Sequence, residues 1–319
     1  MPDRRNKTVE PTRTEFMHLP GWQQTAFYGL ITLSLALMTW GLWRRVRLWK
    51  KGMPVDWKSD WLGNIGRFVF GQRKVQGART RSGAPMHLAI FYGFMALLLA
   101  TTLLAINTYS PVKFHRGTYY LLYEATFDAL GLLLVIGTGW ALGRRMFARP
   151  RTMANDRGDW ISLGFLFLLG ITGYLLEAAR IANNPKPWDH WSFVGNAIAD
   201  LLGDVSISGY LGIWWFHAFL VFGFLSWLPH ARIKHVAYAF VSAAGSPDLG
   251  SGHLRLVPME KVEETGQVGV RHAREFSRWH LASLDACMEC GRCTDACPAH
   301  RAGKVLNPKQ VVQDVRAAL

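Results

Sequence analysis

Long apolar blocks alternate with short basic ones along this chain. Five of the blocks reach the ~20 residues that a helix needs to cross hydrocarbon. They cover 22–43, 85–106, 118–142, 160–179 and 210–228, the last predicted to continue as helix to Phe240. A backbone in hydrocarbon has to satisfy its own hydrogen bonds, so each block predicts a helix. Trp22, Trp40, Trp43, Trp160 and Trp227 near the block ends suit aromatic belts at the membrane interfaces. The fold class this predicts is all-α membrane, a five-transmembrane-helix bundle.

Charge orients the bundle. Between the first two blocks stand Arg44, Arg45, Arg47, Lys50, Lys51, Lys58, Arg67, Arg73, Lys74, Arg79 and Arg81, against Asp56 and Asp60. Between the third and fourth stand Arg144, Arg145, Arg149, Arg151 and Arg157. The alternate loops hold only Lys113 and Arg116, then Arg180 and Lys186 beside Asp189, Asp200 and Asp204. The positive-inside rule puts the basic loops and the C-terminus in the cytoplasm and the N-terminus outside, with the protein in the inner (cytoplasmic) membrane. A net charge of +14 in a soluble chain would point to nucleic acid. With the cations lying between apolar blocks, membrane lipid is the expected partner and nucleic acid is not. The N-terminal residues Arg4, Arg5, Lys7, Glu10, Arg13 and Glu15 surround no apolar run, so no cleavable signal peptide is expected.

After the fifth block the composition changes. Residues 242–252 are small and read as flexible, and a polar, charged stretch then leads to the cysteines. The expected organisation is an outer segment 1–20, a membrane domain 21–241, a linker 242–280 and a cysteine segment 281–319. All four cysteines fall between Cys287 and Cys297, which speaks against a disulfide framework. Cys287-Met-Glu-Cys290-Gly-Arg-Cys293-Thr-Asp-Ala-Cys297-Pro298 has the C-x2-C-x2-C-x3-C-P spacing of a bacterial ferredoxin run. Soft thiolates suit iron, whereas a four-cysteine zinc site separates two pairs by a longer loop. The run therefore predicts a ferredoxin-like [4Fe-4S] segment. In two-cluster ferredoxins the fourth cysteine serves the other cluster, and this chain carries one run. That leaves Cys297 open to a continuation of the chain, to a partner with a second run, or to closing a single cluster itself.

Histidines supply the second kind of chemistry. His217 and His235 are eighteen residues apart, five turns of one continuous helix, which would place them on one face about 27 Å apart. His87 opens the second block at the depth expected of His235, and two imidazoles at one depth make a bis-histidine haem site. As lone residues both would pass for ordinary interfacial side chains. No C-x-x-C-H run is present, so the haem would be b-type. A second, outer haem would use His217, with His115 as a weaker candidate, or an unusual ligand such as Met95. Glu124 and Asp128, four residues apart on the third block, are intramembrane carboxylates of the kind that is costly and usually functional. Together with Lys113 they are candidates for a quinone site with a proton exit, the substrate being menaquinone or ubiquinone. Glu177 and Arg180 read as a structural ion pair.

Several segments together resemble a known family. They are His87-Leu-Ala-Ile-Phe-Tyr-Gly-Phe, His115-Arg-Gly-Thr-Tyr-Tyr-Leu-Leu-Tyr-Glu124, Thr172-Gly-Tyr-Leu-Leu-Glu177-Ala-Ala-Arg180, Trp214-Trp215-Phe-His217 through Lys234-His235, and the cysteine run. The membrane part resembles the gamma subunit of respiratory nitrate reductase and the cytochrome subunit of membrane heterodisulfide reductases. The whole is more similar to fused iron–sulfur oxidoreductases of the heterodisulfide-reductase type. The resemblance implies a cytochrome b domain in which His87 and His235 hold the inner haem and His217 belongs to the outer one. It also implies electron exchange between the quinone pool and a cytoplasmic redox subunit or C-terminal cysteine-rich domains. The chain departs from the gamma subunits at Leu97, where an outer ligand would stand, and from the fused enzymes by ending before a second cysteine run.

The function this predicts is a membrane electron-transfer subunit of a quinone-linked oxidoreductase. The alternatives are a subunit of an electron-transfer-flavoprotein:quinone oxidoreductase, and a non-redox membrane anchor for a cytoplasmic module. A transporter is disfavoured because the blocks show neither internal repeats nor paired broken helices.

Overall fold

The computed structural model describes residues 10–77, 83–248 and 258–319. Arg4, Arg5, Lys7, Arg79, Arg81 and the 249–257 part of the expected linker lie outside the described residues. Among the described residues five helices are long and apolar enough to cross a membrane: Gly21–Trp49, Gly83–Tyr109, Gly117–Phe147, Arg157–Asn183 and Ile207–Trp227. We refer to them as the first to fifth spans. The first four contain their predicted blocks and run past them at both ends, because a helix keeps its backbone paired while flanking Arg and Lys side chains reach for water. Among the described residues there is no β-strand, only isolated bridges. The chain is an all-helical, multi-pass membrane protein.

The fifth span corrects one expectation. It stops at Trp227, a turn and the 3-10 segment Arg232–Lys234 follow, and a new helix runs from His235 to Ala244. Pro229 is the cause, since it lacks the amide hydrogen that a continuing helix needs and its ring crowds the preceding turn. His217 and His235 therefore do not share a face of one helix, and the five-turn spacing between them carries no geometric meaning.

The described residues form two compact units. The first comprises the chain through Ser34 with Pro85–Phe147 and Leu163–Phe224. Its second and third spans touch backbone to backbone: a Cβ on Gly93 would lie 2.5 Å from Leu134 N, and one on Gly137 2.8 Å from Ile90 N. Small residues at such crossings are how membrane helices gain packing without a hydrophobic drive. The segment after Glu10 is tied to this unit by Gly117 N–H donating to Pro11 O (2.9 Å) and Thr108 donating to Glu15 (2.7 Å).

The second unit comprises Leu35–Ala84, Ala148–Ser162 and Leu225–Leu319. Its core gathers Trp49, Tyr238, Leu281 and Ala282. Inside it Asp285 is 1% exposed and accepts from Arg45 at 2.7 and 2.9 Å and from the Trp49 indole at 2.8 Å. The last part of the expected linker is folded here. Met53 N–H donates to Phe276 O and Arg278 N–H to Met53 O, both at 2.9 Å, and Trp279 donates to Ser242 O at 2.8 Å. Trp57 and Trp279 meet edge to face at 5.5 Å. Aromatic residues in a polar stretch found partners that hydropathy alone does not register.

Candidate functional site

In the second unit, the cysteine run occupies the turn after helix Arg278–Asp285 and continues through the short helices Arg292–Ala296 and Pro298–Arg301. Glu289 at φ 54° and Gly291 at φ 80° reverse the chain between Cys287 and Cys293. A side chain at Gly291 would meet Thr152 O at 2.6 Å, besides the cost of its left-handed backbone. Glu289 holds its unusual φ because its surroundings over-determine it. Its carboxylate takes Arg232 and Arg316 at 2.8 Å each, and its carbonyl accepts from Ala154 N–H at 3.1 Å. Behind the loop, Lys309 Nζ donates to Thr152 O at 2.7 Å and Thr294 Oγ1 to Asn307 Oδ1 at 2.7 Å.

Cys287 and Cys297 are half-buried, while Cys290 and Cys293 are exposed. Gln313 Nε2 donates to Cys287 Sγ at 3.3 Å, and burial pushes the Cys287 thiol above its ordinary value. Among the described residues no three His, Cys, Asp or Glu side chains converge on one metal position. The donor chemistry fits iron and sulfide all the same: four thiols on one reversed loop whose flanks are pinned from several sides.

Arg232 reaches from this loop to a histidine. Its guanidinium holds Glu289, Asp156 and Asp159 (3.1 Å), while its carbonyl oxygen lies 3.0 Å from His235 Nδ1. A carbonyl only accepts, so Nδ1 carries the hydrogen. The same logic applies to His217 in the first unit. Thr172 Oγ1 gives its hydrogen to Leu168 O at 2.6 Å and therefore accepts from His217 Nδ1 at 2.8 Å. An imidazole fixed through Nδ1 is the usual arrangement of a metal-binding histidine. His87 is half-buried in the opening of the second span and belongs to the first unit, and His235 belongs to the second.

His115 has an unusual environment. It is 2% exposed, and neither ring nitrogen has a hydrogen-bond partner among the described residues. The ring stacks on Tyr119 at 5.5 Å and lies 4.5 Å from Tyr123, and Asn107 Oδ1 fixes its backbone N–H at 3.0 Å. Burial, then the charge of Arg13, holds the imidazole below its ordinary pKa.

The three remaining candidates all have structural partners. Lys113 Nζ donates to Asn107 O (2.8 Å) and Thr108 O (2.6 Å), closing the end of the second span. Asp128 accepts from Val194 N–H (2.7 Å) and Gly195 N–H (3.3 Å), the unpaired first-turn amides of helix Phe193–Leu202. Glu124 accepts from Ser192 at 2.5 Å and pairs with Arg180 (3.5 Å) and Arg13 (3.6 Å). Arg180 also meets Glu177 at 3.5 Å, the ion pair expected from their spacing. The alignment of Glu124 and Asp128 on one face thus serves a single segment, 192–195. Arg13, Ser192, Glu289, Arg232 and Arg316 were not foreseen as site residues. Only Glu289 carried a local signal, by its position inside the cysteine run.

No protein-family model matches the chain, and no solved structure matches it. Curated relatives do. "EtfAB:quinone oxidoreductase" of Syntrophomonas wolfei is 27% identical over 314 residues, covering 92% of this chain and 43% of that protein. "Probable iron-sulfur-binding oxidoreductase FadF" of Bacillus subtilis is 26% identical over 263 residues, covering 78% and 36%. "Probable membrane-anchored ferredoxin" of Chromohalobacter salexigens is 29% identical over 302 residues, covering 90% and 40%. The chain spans less than half the length of these relatives. Over most of its own length it is similar to proteins whose names describe membrane-anchored, iron–sulfur-binding and quinone-linked redox functions.

Proposed function

We propose that this chain is the membrane electron-transfer part of a quinone-linked iron–sulfur oxidoreductase. The observation that carries the reading is the cysteine run itself: four thiols on a reversed loop clamped through Glu289, in a five-span helical protein similar to iron–sulfur redox proteins. Cys287, Cys290, Cys293 and Cys297 would hold the cluster. His87, His217 and His235 would hold b-type haem, with His115 the further candidate at the Tyr109–Gly117 turn. The Nδ1 contact of His217 with Thr172 supports this, since it orients the imidazole with Nε2 as the ligand nitrogen. Bound haem and cluster would supply one-electron chemistry; the chain would supply the ligands and their orientation.

Quinone would bind beside Lys113, Glu124 and Asp128, on the side that the positive-inside rule puts outside. The burial of both carboxylates favours this end, because ionisable groups within a bundle are rarely kept without a task. The heterodisulfide-reductase-like assignment and the electron-transfer-flavoprotein:quinone reading differ only in the soluble partner. The similarity to the Syntrophomonas protein along 92% of this chain favours the second.

A dithionite-reduced spectrum of the purified chain, with iron and haem quantitation, tests the reading. Haem b bands whose low-spin inner-haem component disappears in His87→Ala or His235→Ala, with iron lost in Cys290→Ser, are expected. Protein without haem bands and without iron would leave only a membrane anchor.

A further inference from the structure

The break at Pro229 builds something besides the end of a span. The turn that Pro229 and His230 make lies against the first span at Gly41, within the second unit. A Cβ on Gly41 would be 2.6 Å from both Pro229 Cβ and Cγ, so only glycine lets the turn come this close. Beside this contact is a cavity of about 500 Å3, lined by Arg44, Arg45, Arg47, Lys51 and His230 with Leu48. Among the described residues no carboxylate lines it.

The cations differ in what already occupies them. Arg45 is engaged by Asp285 on two hydrogen bonds. The Arg47 guanidinium lies 5.6 Å from the Trp40 ring centre. Arg44 and Lys51 have no carboxylate within ion-pair distance among the described residues. Like charges gathered around one cavity repel each other unless an anion shares it. The same helix end shows where that anion comes from. Trp40 and Trp43 are 58% and 45% exposed, which suits the headgroup layer, and Leu35 and Leu37 present apolar surface earlier on the helix.

We propose that this cavity binds the phosphate of an anionic phospholipid headgroup, with Arg44 and Lys51 as its charge partners and the acyl chains lying along the first span. Basic pockets between membrane helices on the cytoplasmic side take headgroups of this kind. Free inorganic phosphate offers the same oxyanion without the acyl chains, so the experiment separates the two.

The full chain is purified in detergent, and bound phosphatidylglycerol is counted by native mass spectrometry against phosphatidylcholine and against added inorganic phosphate. Each cation near a membrane surface is worth about fivefold in affinity for an acidic lipid. The double variant Arg44→Gln/Lys51→Gln should therefore weaken phosphatidylglycerol binding roughly twenty-five-fold. Arg44→Lys/Lys51→Arg should keep it, which separates lost charge from lost fold. Arg149→Gln/Arg151→Gln removes the same charge from exposed positions elsewhere and should leave binding intact. Equal weakening in both Gln variants would mean diffuse attraction and would overturn the site. Displacement of the lipid by equimolar inorganic phosphate would overturn the lipid as its occupant.

Discussion

Asp285 offers the sharpest test of how the cysteine segment is held. Replacing it with Ala removes two charge-assisted hydrogen bonds to Arg45 and the acceptor of the Trp49 indole. Arg45 is 27% exposed at its side chain, so water and salt recover much of its loss. Trp49 is buried and its N–H would stay unpaired, at about 1–3 kcal/mol. With a discounted contribution from the ion pair, the sum is about 3 kcal/mol, on the order of a hundredfold in the local opening constant. Asp285→Asn keeps one carbonyl oxygen and also relieves the desolvation of a buried carboxylate, so its effect should be about tenfold or less. The assay is amide hydrogen exchange over 278–285 in the intact, detergent-solubilised protein, where protection reports opening of this helix rather than global unfolding. Protection should fall in the order wild type, Asn, Ala. If the Ala variant exchanged within twofold of wild type, the Asp285 contacts would not be what anchors the helix leading into Cys287.

Three further outcomes are expected. Glu289→Gly should retain more of the native loop than Glu289→Ala, because it loses the same two ion pairs but relieves a left-handed backbone that costs about 1–2 kcal/mol for a residue with a side chain; trypsin cleavage after Arg292 reads the difference. In metal-free protein at neutral pH, iodoacetamide should modify Cys290 and Cys293 well before Cys287, whose thiol is half-buried and pushed up by burial; peptide mass spectrometry with Cys287 labelled first would contradict the loop geometry. Acid should loosen the Tyr109–Gly117 turn. The imidazole of His115 is held below its unfolded value of ~6.5, so as pH falls through that value the open state takes up the proton first and stability drops. Exchange at 107–116 should rise between pH 7 and 5, and His115→Phe should flatten the dependence.

The parts of this protein that were legible in advance follow from local chemistry. An apolar block of sufficient length has few alternatives to a spanning helix, so all five spans were readable without any knowledge of their neighbours. The cysteine run was readable because its four cysteines lie close together in sequence. Pro229 is equally visible, and the rule that a proline ends a helix overrides the eighteen-residue spacing between His217 and His235. What sequence could not supply were the partners of polar groups brought together from far along the chain. Arg45 and Asp285 are separated by 240 positions, and Arg232 and Glu289 by 57.

Glu124 and Asp128 illustrate the general point. Their spacing correctly put them on one face, and their burial correctly marked them as groups that need a partner. Whether that partner is a proton path or a helix end depends on where residues 192–195 lie, which no local pattern encodes. A buried charge in a sequence announces an obligation without saying what meets it. Here the first-turn amides of a ten-residue helix, two guanidiniums and a serine meet it. Any role of these carboxylates toward quinone has to work through contacts that already hold this end of the first unit together. Asp128→Asn, which can still accept from Val194 N–H, is therefore the substitution that separates charge from scaffold. Slower haem reduction by quinol at unchanged haem content would assign the charge a redox task. An unchanged rate would leave Asp128 as the cap of helix Phe193–Leu202.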